Sequence, residues 1–180
     1  YAKNNLGILY KNGLNDELEK NCPLSVIYFE EAIKQKNDLL SKYNLSHFYI
    51  YEESTDESIK KSIKYLVESS ESEFEPSKKL LCLALIKLHG INIDEMKNEI
   101  SNYTKNLDFF VISFEQIIKQ YHLDEQSIFD KIFQSQKDID FLYNENYRPI
   151  VSKNILKEEE KPKNKITELD VTQEFYEGFG

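Results

Sequence analysis

Apolar residues recur along the first hundred positions at helical spacing, in paired segments separated by short polar runs. From the start to about Asn12, Ala2, Leu6, Gly7 and Tyr10 stand at offsets 0, +4, +5 and +8. At 3.6 residues per turn, one face then carries a small residue, a large one and a ring, with a second small residue beside them. A helix of that shape can approach another closely. The order returns 39 residues on, as Ser41, Leu45, Ser46 and Tyr49, and 36 further on as Ser77, Leu81, Cys82 and Leu85. The following segment echoes as well: Ser25, Tyr28, Phe29, Ala32 and Ile33 become Ser62, Tyr65, Leu66, Ser69 and Ser70. A period in this range marks an array of helical hairpins.

Breakers and caps place the elements. Gly13 supplies a left-handed stop, and Pro23 suits the first turn of the second helix, where its missing N–H has no partner to lose. That helix ends near Lys36-Asn37-Asp38. The second pair spans Leu39–Glu52 and Ser58–Ser69, with Ser54 and Glu57 at capping-box spacing between them. Ser72 and Glu75 repeat that spacing before Ser77 to Leu88, a helix apolar on nearly all sides and therefore expected to be covered on both flanks. His89-Gly90 ends it, and Asn92 opens a partner reaching about Tyr103. Past Asn106 the grid lapses, but Leu107–His122, Asp124–Gln136 and Asp138–Tyr147 keep apolar spacings of three and four. A divergent helical cap over the open end of the array accounts for them, with decayed repeats as the alternative. Arg148-Pro149 stops the last helix. The charged run from Lys157 to Lys165 reads as a solvated linker. Beyond it Leu169, Val171, Phe175, Tyr176 and Phe179 stand among acids, the pattern of a short segment that docks on a protein surface, or else of a disordered end.

The order Ala2, Leu6, Gly7, Tyr10 and Gly13, followed by Tyr28, Phe29 and Ala32, resembles the Sel-one-like repeat, a relative of the tetratricopeptide repeat. The resemblance runs from Tyr1 to about Gly90, with the second and third units progressively degenerate. It implies an all-α fold, a right-handed α-solenoid of about three helix-turn-helix repeats that binds other proteins without catalysis. The expected organisation is a repeat array over 1–105, a C-terminal helical cap over 106–148, and a linker with an extended tail over 149–180. In related arrays the first helix of each pair lines the concave face. Carried over by position, the partner-binding residues are Asn4, Ile8, Lys11, Tyr43, His47, Ile50 and Lys79, with Leu83 and Ile86 read as interior packing. The tail residues Leu169, Val171, Phe175, Tyr176 and Phe179 form a second expected contact, to this chain's own groove or a neighbouring one.

Composition narrows the partner. Twenty-three basic residues against 32 acidic ones give a net charge of −9, and Arg148 is the single arginine. An acidic surface without guanidinium forks suits neither phosphates nor anionic membranes, so a basic or apolar protein surface is expected, with no nucleic acid and no membrane. The longest apolar run, Leu80 to Ile86, is far below the roughly 18 residues a span needs. Cys22 and Cys82 form no C-x-x-C pair and read as reduced thiols of an intracellular, cytoplasmic or cytoskeletal chain. The chain begins with Tyr1 on the grid itself, which suggests a piece of something longer. Its abundant lysine, asparagine and isoleucine suggest an AT-rich genome, such as those of parasitic protists with many repeat proteins.

No reaction chemistry emerges. His47, His89 and His122 stand apart from one another, and no nucleophile elbow, phosphate loop, dinucleotide fingerprint or kinase set occurs in the sequence. No metal or cofactor is expected. Adjacent carboxylates such as Glu30-Glu31 and Glu52-Glu53 turn about 100° apart on a helix instead of converging. Ser54, Ser70 and Thr167 each have an acid three residues on, a setting that an acid-directed kinase could use. The expected function is a non-enzymatic interaction scaffold or adaptor, such as a structural component of a large intracellular assembly. The alternative is a regulatory array attached to an upstream catalytic domain such as a kinase.

Overall fold

Helices form where the apolar spacing and its stops predict them. The computed structural model describes residues 1–14, 16–121, 124–139 and 141, and of Tyr121 only the backbone. They form α1 (Ala2–Asn12), α2 (Cys22–Lys36), α3 (Leu39–Phe48), α4 (Asp56–Glu71), α5 (Glu75–His89), α6 (Ile93–Ile100), α7 (Leu107–Tyr121) and α8 (Glu125–Gln136). A π-helical turn, Tyr49–Glu53, prolongs α3. Among the described residues no strand occurs beyond an isolated bridge between Leu14 and Leu18, so the fold is all-α. The described residues gather into two compact units, 1–41 and 42–141, so that α3 begins in one and continues in the other.

In the first unit α1 packs against α2 through the small position of the grid. A Cβ on Gly7 would lie 2.5 Å from Phe29 Cε1, and the Phe29 ring is fully buried. One turn on, the Tyr10 and Tyr28 rings stack at 5.5 Å with 4° between their planes. Burial, and then the neighbouring Tyr28, raise the Tyr10 phenol above its ordinary pKa. Gly13 ends α1 at φ +73°, where a Cβ would meet the Leu18 carbonyl. The Asn21 side chain accepts the Leu24 N–H at 3.1 Å ahead of Pro23, and Asn37 closes α2 in the left-handed region. Asp38 then caps α3 by accepting the Ser41 N–H at 3.0 Å.

The second unit is built around α5, which packs on α4, α6, α7 and α8. Its run Leu80 to Ile86 is buried throughout, the environment expected of a helix apolar on nearly all sides. Small residues again mark close approach: the Ser69 hydroxyl of α4 donates to Ser77 Oγ of α5 at 2.7 Å. Two expected capping boxes are displaced. Ser54 takes φ +56° as the residue closing the π-helical turn. The box is Thr55 with Ser58: Thr55 Oγ1 accepts the Ser58 N–H at 3.1 Å, and Ser58 Oγ accepts the Thr55 N–H at 3.0 Å. Ser72 belongs to the end of α4, where its hydroxyl donates to the Glu68 carbonyl, and α5 starts after Phe74 with Pro76 in its first turn. Asn92 caps α6, which stops at Ile100 rather than about Tyr103. The expected helix Asp138–Tyr147 lies outside the described residues except at 138, 139 and 141. The linker and tail, with Leu169, Val171, Phe175, Tyr176 and Phe179, lie wholly outside them.

Candidate protein-interaction site

Every residue from Leu39 to Ile50 is buried, although this stretch carries Ser41, Lys42, Asn44, Ser46 and His47. Buried polar groups need partners, and those of α3 find them on two sides. Toward α4, the Lys42 ammonium, 2% exposed, reaches Glu68 at 2.7 Å, and Glu68 is itself 37% exposed. Ser46 donates back to the Lys42 carbonyl at 2.7 Å.

Toward α8 the partners are of another kind. The Asn44 carboxamide donates to the Phe141 carbonyl at 2.9 Å and accepts the Phe141 N–H at 3.0 Å. His47 Nε2 lies 2.7 Å from the Gln136 carbonyl oxygen, which can only accept, so that ring nitrogen carries the proton. The Tyr51 hydroxyl donates to the Phe133 carbonyl at 2.6 Å, and the Tyr43 hydroxyl to Gln136 Oε1 at 2.8 Å. Four of these bonds engage main-chain groups, which any peptide possesses.

Rings complete the surface. Phe141 meets Tyr43 edge-on at 4.7 Å and Phe74 at 5.1 Å, while Tyr43 and Phe74 meet at 5.8 Å, all near-perpendicular. Tyr51 stacks on His47 at 4.3 Å and contacts Phe133 at 4.4 Å. Such pairs contribute about 0.5–1.5 kcal/mol beyond their buried area. Burial, and secondarily the Asp138 carboxylate, push the Tyr51 phenol well above its ordinary pKa, so at neutral pH it is a donor. From α8, Ile128, Ile132 and Gln136 descend into the unit at steps of four residues, with Phe129 and Phe133 half-buried beside them.

The structure thus brings Tyr43 and His47 together on one surface, 6.1 Å between ring centroids, both bonded to Gln136. It does not leave them open. Tyr43, His47 and Ile50, like Asn4, Ile8 and Lys11 of α1, are buried where an open concave face was expected. For Tyr43 and His47 the reason is that Gln136 and Phe141 come back over α3; Asn4 accepts a hydrogen bond from Ser41 at 3.1 Å. Lys79 is half-buried, and Leu83 and Ile86 are interior. Asn44 and Tyr51 were not singled out by the pattern. The available signal was their position, Asn44 beside Tyr43 and Tyr51 one turn beyond His47.

Groups suited to reactions are placed otherwise. Burial pushes the Cys82 thiol up to about 12, which makes it unreactive near neutrality. His89 faces Glu99 at 3.0 Å and Glu95 at 3.5 Å on the surface of α5 and α6. Among the described residues no set of three His, Cys, Asp or Glu side chains is arranged to hold a metal ion. No helix among them is long and apolar enough to cross a membrane. No protein-family model matches the chain, and neither do any curated proteins or solved structures. Geometry must therefore support any functional reading.

Proposed function

We propose that this chain is a non-enzymatic protein-binding scaffold, an array of Sel-one-like, tetratricopeptide-like helical repeats stacked as a solenoid. The observation that carries this reading is the surface of α3 and its π-helical extension, where Asn44, His47 and Tyr51 bond to main-chain groups of residues 133, 136 and 141. Aromatic rings set around a few neutral donors and acceptors are the usual composition of a protein-binding hot spot. The repeated small residues support the stacking: Gly7 against Phe29 in the first pair, Ser69 against Ser77 between the second and third. A net charge of −9 favours a partner with a basic or apolar face.

The test is binary binding. Proteins retained by the immobilised whole chain are identified, purified singly and titrated against it in a calorimeter. Saturable binding that weakens as salt rises supports a scaffold for a basic partner. Failure of every purified candidate to bind directly overturns the reading.

A further inference from the structure

We propose that Ser54 is a phosphorylation site for an acid-directed serine kinase, and that Lys87 of α5 then holds the phosphate. This is independent of the scaffold reading. Three hydroxyls have an acid three residues on, and the structure separates them: Ser54 is exposed, Ser70 is fully buried, and Thr167 lies outside the described residues. The hydroxyls next to Ser54 are committed elsewhere. Thr55 and Ser58 each accept the other's N–H as the cap of α4, and Ser58 is buried besides. Ser54 Oγ instead accepts a hydrogen bond from the Lys87 ammonium, 33 residues away in sequence.

Residues Glu52 to Glu57 are all exposed, so a kinase that reads acids meets Glu52 and Glu53 before the serine and Asp56 and Glu57 after it. The backbone helps to present it. Ser54 closes the π-helical turn at φ +56°, its N–H donating to the Tyr49 carbonyl at 2.9 Å. A serine in the left-handed region is held against its own preference, which lowers the work of opening the turn in a kinase cleft. The step joins Ser54 Oγ to the terminal phosphorus of a nucleoside triphosphate and breaks that atom's bond to the diphosphate leaving group. The hydroxyl proton passes to the kinase's base. The four flanking carboxylates repel the product phosphate, so it turns to the ammonium already beside it. Burial strips Lys87 of part of its hydration, and Asp56 offsets some of that loss. A phosphate offsets more, through charge-assisted bonds that a neutral hydroxyl does not make. The end of the π-helical turn is thereby tied to α5, the helix on which the unit is built.

The experiment treats the whole chain with ATP and casein kinase II and maps the phosphate by tandem mass spectrometry. Ser54 should be modified about ten-fold faster than Ser70 or Thr55, and Glu57→Gln should slow it several-fold. Phosphate placed on Thr55 in preference to Ser54, or a synthetic peptide of residues 49–62 modified while the folded chain is not, would show that the turn withholds this serine and overturn the site. No incorporation at Ser54 in either chain or peptide overturns it too. Capture by Lys87 is read by amide hydrogen exchange. Phosphorylation should slow the Ser54 and Thr55 amides about three-fold or more, an effect lost in Lys87→Gln and kept in Lys87→Arg. Equal slowing in Lys87→Gln, or none in wild type, removes the role of Lys87.

Discussion

Lys42 shows what a single side chain asks of its surroundings. Its ammonium lies inside the second unit with Glu68 as its counter-charge, and the two partners differ in their access to water, 2% against 37%. Removing one partner of a buried pair is costly because the other charge is stranded, and here only the lysine would be stranded. Glu68→Gln should therefore lower stability by roughly 2–3 kcal/mol, while Lys42→Met, which leaves Glu68 to the solvent, should stay within about 1 kcal/mol of wild type. Urea melts of the two variants check this ordering. Gly7 makes the complementary case for sterics. Alanine is the better helix former by about 1 kcal/mol, but its methyl would meet the buried Phe29 ring at 2.5 Å. Overpacking should win, so Gly7→Ala should destabilise by about 1–2 kcal/mol in the same assay.

At the scale of the element, the start of α4 separates two neighbouring hydroxyls. Thr55 makes the reciprocal cap with Ser58, whereas Ser54 occupies a left-handed position and receives a hydrogen bond from Lys87. Thr55→Ala should cost about 1 kcal/mol, with a matching fall in Tm; Ser54→Ala, which removes no cap, should cost less. Serine, threonine and acids cluster from Glu52 to Ser58, and the expected box of Ser54 with Glu57 falls one residue before the observed one. The left-handed Ser54 that closes the π-helical turn moves the cap to Thr55, with the Ser58 hydroxyl in place of a carboxylate. The Ser72 spacing misled in the same way, Ser72 ending α4 instead of capping α5, but other local signals were sufficient. Asn21 and Asn92 each cap a helix, and Gly13 and Gly90 each leave one at positive φ, because those duties depend on the residue's own backbone and its nearest neighbours.

Across the whole molecule, buried neutral groups give stability a direction with pH. The Cys82 thiol moves from an ordinary 9.0 to about 12 because its thiolate would be buried. A raised folded pKa contributes stability that is complete below the unfolded value and is lost as pH climbs toward the folded one. Stability should thus decline from about pH 9 toward about 12, joined above about pH 10 by Tyr10 and Tyr51, which are raised for the same reason. Lys87 opposes the trend: burial lowers its pKa, partly offset by Asp56, so losing its proton relieves a penalty. Denaturant midpoints between pH 8 and 11 should fall in wild type and fall less steeply in Cys82→Ala. A thiol reagent at neutral pH should modify half-exposed Cys22 well before buried Cys82.

The sequence by itself determined that this chain is helical and where most of its helices stop. It also marked which small residues admit a neighbour, because helical period, glycine φ and side-chain caps act within a few residues. It placed Tyr43 and His47, one turn apart on α3, among the residues of one expected face. Only the tertiary structure decided what covers them. LLSKYNLSHFYI reads as a half-polar helix, and its polar groups are buried because Glu68, Gln136 and Phe141 come from 26 to 97 residues away to bond with them. Desolvating a lysine, an asparagine and a histidine is tolerated once each finds such a partner, and no local pattern encodes contacts at that separation.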